Sequence, residues 1–246
     1  MRCYDGSRPQ AKIQIATSKR GFTFLPRNRG CDTYLMRVRS PSSPLFKTMT
    51  TPSSEPTAQL TIPLLTPQDE AGTLSLVQHV ARHADRLLVL GTTSEAPYLD
   101  VQRAIDQVGY VAQAVRTVIS EPSERPIIQV GILSDDHERI RTITLESRLA
   151  LLQYGFTERE IEFLIAPNYN MQEFDADEAD ARVSVVQEET QAPILLYEAP
   201  GHPISARMTP EYIRRHTTDT VGLKDSARSA EELLKLRAFL DNRFSI

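Results

Sequence analysis

Several features that would point directly to a function are missing from this 246-residue chain. No stretch approaches about 18 consecutive apolar residues, the length that a transmembrane helix needs, so the sequence predicts no membrane span. Its two cysteines, Cys3 and Cys31, lie near the N-terminus. The rest of the chain therefore has no thiol for a disulfide, a nucleophile or a metal ligand. The five histidines show no spacing typical of a metal site.

Neither sign of charge dominates the chain as a whole. The chain has 28 basic and 32 acidic residues, which gives a formal net charge of −4. This balance gives no reason to expect nucleic acid or a membrane surface as a partner. The low cysteine content suits a reducing compartment, and we predict a cytoplasmic location.

The N-terminal segment differs in composition from the rest. Residues 1–50 contain ten basic and two acidic residues, for a charge of +8, and show no apolar periodicity. We expect residues 1–58 to be a disordered basic segment and linker, and residues 59–246 to form the folded domain. An organelle transit peptide, for example mitochondrial, is one interpretation of residues 1–48. The other is that translation starts at Met49.

Strand and helix patterns alternate from residue 59 onward, which predicts an α/β fold with a parallel sheet. A (β/α)8 TIM barrel and a doubly wound sheet both fit this alternation. No glycine-rich phosphate loop follows the first strand, and the units recur about every 30 residues, which favours the barrel. Only about six units are present, so we expect an incomplete barrel. The predicted strands are 60–65, 86–91, 126–131, 161–167, 193–197 and 221–224. The predicted helices are 73–83, 101–119, 138–154, 176–190, 210–216 and 229–240. Ser229, with Glu232 three residues on, predicts a capping box at the start of the last helix.

Three predicted strands end in side chains that can take part in catalysis. Lys224, Tyr197 and the pair Thr92-Thr93 each come at the C-terminal end of a strand. In a β/α barrel this is the end where active sites are built. A lysine that is desolvated there can lose its proton and attack a ketone.

Four motifs at strand ends resemble those of the dihydrodipicolinate synthase / N-acetylneuraminate lyase family of class I, pyruvate-dependent aldolases. Gly91-Thr92-Thr93-Ser94-Glu95 resembles the family's Gly-Thr-Thr-Gly-Glu, and Pro167-Asn168-Tyr169-Asn170 resembles its Pro-Tyr-Tyr-Asn. Tyr197-Glu198-Ala199-Pro200 resembles its Tyr-Asn-Val-Pro, and Gly222-Leu223-Lys224-Asp225-Ser226 resembles its Gly-Ile-Lys-Asp-Ser. The resemblance extends from about Thr61 to Phe244.

The resemblance implies a role for five residues. Lys224 would form a Schiff base with pyruvate or another 2-oxo acid, and Tyr197 would carry protons to and from the carbinolamine. Thr93 would hold the substrate carboxylate, and Thr92 would relay protons between Tyr197 and Tyr169. The family needs no metal or other cofactor, takes a small-molecule 2-oxo acid and an aldehyde as reactants, and is usually homo-oligomeric.

The chain departs from the family pattern at four positions. Ser94 replaces a glycine, Asn168 replaces a tyrosine, and Glu198 replaces an asparagine. His202 stands where the dihydrodipicolinate branch has an arginine that binds the second substrate, which argues against that activity. We include Ser94 and His202 with Thr93 as candidate substrate-binding residues.

The predicted function is a Schiff-base-forming lyase or aldolase that acts on a 2-oxo acid. A different class of interpretation is a non-catalytic protein, either a truncated paralogue or the product of an incomplete gene model. In that case we expect a poorly stable, inactive chain, because six strands do not close an eight-stranded barrel.

Overall fold

The structure is a computed structural model that describes residues 59–66, 69–92, 96–198 and 206–240. All of them lie in one compact unit, Thr48–Ile246. The predicted basic segment and linker, residues 1–58, lie outside the described residues, and so do the last six residues, 241–246.

Strands and helices alternate along the described residues, as the sequence predicts. The strands are β1 Thr61–Pro63, β2 Arg86–Val89, β3 Ile127–Ile132, β4 Ile161–Ile165, β5 Ile194–Glu198 and β6 Gly222–Asp225. The helices are α1 Glu70–Val80, α2 Val101–Val118, α3 His137–Gln153, α4 Ala176–Glu189, α5 Pro210–Arg215 and α6 Ala230–Phe239. Their bounds differ from the predicted ones by only a few residues.

The sheet has the strand order of a barrel. Every neighbouring pair is parallel, and the order in the sheet follows the order in the chain, β1-β2-β3-β4-β5-β6. A doubly wound sheet would instead reverse direction at a switch point, so that its strand order would not follow the chain. The fold is α/β, with six units of an incomplete (β/α)8 barrel, which confirms the predicted fold class.

Local capping explains where the helices begin. The side chains of Asp69, Asp100, Asp136 and Asp175 each accept a backbone N–H at the start of α1, α2, α3 and α4. Ser229 starts α6 with a full capping box to Glu232, as the sequence predicts. Such caps satisfy the N–H groups that have no partner within the helix.

The two faces of the sheet differ in polarity because side chains alternate along each strand. Over most of its area one face is apolar and buried, for example at Leu87, Ile128 and Phe163. The other face is polar at both ends of the strands. At the N-terminal ends of the strands, Arg86 makes a two-pronged ion pair with Glu162. At its C-terminal end it presents the registered pair Tyr197 and Lys224.

The backbone conformation at the end of β2 was not predicted from the sequence. Leu90, directly before the Gly91-Thr92 segment, has φ of 60°, in the left-handed region that β-carbons disfavour. Its carbonyl oxygen lies so close to Gly131 of β3 that a β-carbon at position 131 would overlap it. Gly131 therefore permits the turn that directs Thr92 toward the C-terminal end of β5.

We predict that Gly131→Ala destabilises the protein by about 1–3 kcal/mol, the usual cost of overpacking a filled interior. A matched control is Gly109→Ala in α2, where the added β-carbon would make only ordinary contact with Tyr154. This substitution should stabilise the helix by about 0.5–1 kcal/mol. Urea unfolding of both variants measures the difference. Equal effects of the two alanines would contradict the close approach at Gly131.

Candidate active site

Lys224 is the third residue of β6 and lies at the C-terminal end of the sheet. Its side chain is half-buried, and Nζ lies 4.2 Å from the centre of the Tyr197 ring. Burial lowers the pKa of its amine from 10.5 to about 8, because the charged form loses hydration. No ion pair joins Lys224 to a carboxylate within the described ranges. A substantial fraction of this amine is therefore neutral, and able to act as a nucleophile, near physiological pH.

Tyr197 lies beside Lys224 because the two residues are register partners in β5 and β6. Its side chain is 1% exposed. The phenol oxygen is 3.0 Å from the hydroxyl oxygen of Thr92, and either group can donate this hydrogen bond. Burial raises the pKa of Tyr197 above its usual value, and hydrogen bonds from Thr92 and Ser226 oppose that rise. The phenol therefore holds its proton at neutral pH.

These three side chains form a compact set that can perform acid–base chemistry at a carbonyl group. Lys224 supplies an amine whose lone pair is available, and Tyr197 supplies a proton within a buried environment. Thr92 is a hydroxyl that can both donate to and accept from the phenol. The structure thus brings together three of the residues that the sequence singles out: Lys224, Tyr197 and Thr92.

Tyr169 follows β4 and lines a cleft of about 290 Å³ with Asp135, Arg139 and Asn170. Burial raises its pKa. Within the described part of the chain its hydroxyl makes no hydrogen bond to Thr92. The proton relay between Tyr169 and the Thr92–Tyr197 pair therefore stays a prediction.

Three further candidates lie outside the described residues: Thr93, Ser94 and His202. Their roles in holding the substrate stay predictions. Among the residues that the structure does describe, no group of three histidine, cysteine or acidic side chains could hold a metal ion. In the same part of the chain, no helix is long and apolar enough to cross a membrane.

A buried charged cluster behind the site was not predicted from the sequence. Glu198 follows Tyr197 and Asp225 follows Lys224, and both contact the guanidinium of Arg228. Burial raises the pKa of Glu198 to about 7, while the charge of Arg228 acts in the opposite direction. A sequence signal did exist. An acidic residue within a buried strand requires a partner of opposite charge, but the sequence does not say which arginine supplies it.

We predict that Lys224→Met stabilises the protein at pH 7 by about 1–3 kcal/mol, because a buried ammonium is removed while the length of the side chain is kept. The pKa of Lys224 is about 8 in the folded chain and has its ordinary value of 10.5 when the side chain is exposed. The stability gain should therefore be complete below pH 8 and disappear above pH 10.5.

Thermal unfolding of both proteins across this pH range measures the gain. Lys235→Met is the matched control, because Lys235 on α6 is well exposed and pairs only with Glu231 among the described residues. It should show a small difference that does not change between pH 7 and pH 9. If the stability gain of Lys224→Met also stays constant between pH 7 and pH 9, the amine of Lys224 is normally hydrated in the wild-type protein.

The chain is similar in sequence to curated enzymes named 4-hydroxy-tetrahydrodipicolinate synthase. It is 26% identical over 210 residues to the one from Parasynechococcus marenigrum, which covers 80% of this chain and 64% of that protein. It is also 26% identical over 173 residues to the one from Oceanobacillus iheyensis, which covers 70% of this chain and 53% of that protein. The chain therefore spans less than two thirds of these relatives' length. No family model matches it.

Solved structures of similar fold include a dihydrodipicolinate synthase from Bacteroides thetaiotaomicron, with a TM-score of 0.60, 18% identity, and coverage of 77% of this chain and 61% of that one. A 2-keto 3-deoxygluconate aldolase from Picrophilus torridus has a TM-score of 0.59, 15% identity, and coverage of 76% and 64%. These structures support the barrel fold. The curated relatives, at 26% identity, carry the name of an enzyme from the family that the strand-end motifs resemble, the dihydrodipicolinate synthase / N-acetylneuraminate lyase family.

Proposed function

We propose that this protein is a Schiff-base-forming lyase or aldolase whose substrate is pyruvate or another 2-oxo acid. The observation that carries the proposal is the amine of Lys224, which burial brings to a pKa of about 8 and which lies 4.2 Å from the centre of the Tyr197 ring. A lysine in this state is the nucleophile that adds to a ketone, and few other functions need one at the end of a barrel strand.

The chemistry follows from these groups. The neutral amine of Lys224 adds its lone pair to the carbonyl carbon of the 2-oxo acid, and a proton moves from the nitrogen to the carbonyl oxygen to give a carbinolamine. Loss of water then leaves an iminium between Nζ and the substrate carbon. The cationic nitrogen accepts electrons from a bond at the adjacent carbon, so a C–C bond can break or form there.

Tyr197 is the proton donor and acceptor in this proposal. Its protonated phenol can give a proton to the carbinolamine hydroxyl as that group leaves as water, and it can take one back in the reverse direction. The hydrogen bond of 3.0 Å to Thr92 orients the phenol and offers a path for replacing its proton. Thr93 would hold the substrate carboxylate, and Tyr169 would extend the proton path.

The second reactant is an aldehyde whose identity the relatives leave open. They include a 4-hydroxy-tetrahydrodipicolinate synthase, a 2-keto 3-deoxygluconate aldolase and a protein in complex with mannosamine. His202, in place of the arginine of the dihydrodipicolinate branch, favours an aldehyde other than that branch's substrate. A cytoplasmic location and a homo-oligomeric state fit this activity and belong to the proposal.

We predict that pyruvate and sodium borohydride together attach a reduced pyruvyl group to Lys224, because hydride converts the iminium into a stable secondary amine. Peptide mass spectrometry locates the adduct. Lys224→Met should abolish it, while Lys235→Met should leave it unchanged. A wild-type chain that takes up no adduct would instead support the non-catalytic interpretation, and an adduct that persists in Lys224→Met would assign the nucleophile to another lysine.

We predict that Tyr197→Phe lowers the rate of pyruvate trapping by about 10²–10⁴-fold, the usual loss when a general acid–base group is removed. The matched control is Tyr212→Phe, because Tyr212 is a buried tyrosine whose hydroxyl has no hydrogen-bond partner among the described residues. It should trap pyruvate at the wild-type rate. If both phenylalanine variants behave alike, Tyr197 is a packing residue.

A further inference from the structure

Two buried carboxylates lie directly behind the Tyr197–Lys224 pair. Successive residues of a strand point to opposite faces of its sheet. Glu198 and Asp225 therefore lie on the opposite face from Tyr197 and Lys224, and they too are register partners. Their side chains are 1% and 0% exposed. Two anions held side by side without water are unfavourable unless a cation joins them.

Arg228, in the turn between β6 and α6, is that cation. Its Nη1 lies 2.7 Å from Oε2 of Glu198 and also contacts Oδ2 of Asp225. Its Nη2 donates a hydrogen bond of 2.7 Å to the carbonyl oxygen of Met208. One guanidinium thus joins the end of β5, the end of β6 and the segment before α5.

Backbone hydrogen bonds reinforce this junction. Oδ1 of Asp225 accepts from the N–H groups of Ala227 and Arg228, both at 2.9 Å. The N–H of Ser226 donates to the carbonyl oxygen of Glu198 at 3.1 Å. The ends of β5 and β6 are therefore fixed relative to each other at the residues that directly follow Tyr197 and Lys224.

We propose that Glu198, Asp225 and Arg228, which we call the Arg228 cluster, are positioning residues that hold the amine of Lys224 against the ring of Tyr197. The proposal rests on the proposed function for its chemical meaning. The cluster touches neither the amine nor the phenol oxygen. It acts by fixing the two strand ends on one face of the sheet, and it thereby sets the geometry of the reacting pair on the other.

The charge balance of the cluster gives a measurable consequence. The charged groups that act on Glu198 are Arg228, Asp225 on the neighbouring strand, and Arg207 on the segment before α5. Removing Arg228 leaves carboxylates without their cation, and these favour the ammonium form of Lys224. Looser strand ends also let water reach the amine. Both effects raise the pKa of Lys224 toward its ordinary value.

The test compares Arg228→Met with wild type by competitive acetylation, which measures the pKa of Lys224 from the pH dependence of its labelling by acetic anhydride. We expect the pKa to rise by about one unit or more, and the rate of pyruvate trapping at pH 7.5 to fall about tenfold or more. Arg228→Lys should restore part of the low pKa and part of the trapping rate. It keeps the charge but cannot contact both carboxylates and Met208 at once.

A second variant covers the case in which Arg228→Met does not fold. In Glu198→Met/Arg228→Met the ion pair is replaced by apolar side chains of similar length, a change that buried pairs often tolerate. Asp225 again loses its cation, and the pKa of Lys224 should rise in the same way. Circular dichroism confirms that each variant is folded.

The control is Glu162→Gln, which breaks the buried pair with Arg86 at the opposite end of the sheet. It should lower stability and leave the pKa of Lys224 unchanged. A folded Arg228→Met with a wild-type Lys224 pKa overturns the proposal, and so does an equal rise in Glu162→Gln. Acetylation needs no pyruvate, so this outcome is independent of whether wild type forms the Schiff base.

Discussion

The parallel register of β5 and β6 is the constraint on which the candidate active site depends. It pairs Tyr197 with Lys224 directly, and one residue further along it pairs Glu198 with Asp225. Because side chains alternate between faces, this register places Tyr197 and Lys224 on one side of the sheet and the carboxylates on the other. A slip of one residue would turn a carboxylate toward the amine and raise the pKa of Lys224, so register and reactivity are set together.

The site also concentrates features that weaken a fold. An amine is buried without a carboxylate partner among the described residues, two acids share one arginine, and Leu90 adopts a left-handed backbone conformation. Each carries a free-energy cost that an ordinary core would avoid. All three lie at the C-terminal ends of strands, where parallel β/α folds build their sites. Such costs at one end of a sheet are typical of function rather than of packing.

Local patterns were enough to predict most of the fold. Strands and helices followed from apolar periodicity, and the start of α6 followed from Ser229 and Glu232. The pairing of Tyr197 with Lys224 could be anticipated because both end neighbouring strands. The ion pair between Arg228 and Glu198 could not be predicted from the sequence, and neither could the close approach of Leu90 to Gly131. They join residues that are distant in sequence, and their geometry depends on how the strands pack.

The two ends of one sheet face surround their cationic side chains differently. At the N-terminal end, both nitrogens of the Arg86 fork donate to Glu162, and Gln129 adds a third hydrogen bond to the same carboxylate. At the C-terminal end, Lys224 meets an aromatic ring and a phenol instead of a carboxylate. Burial is then unopposed by pairing, and the amine becomes more neutral and more nucleophilic.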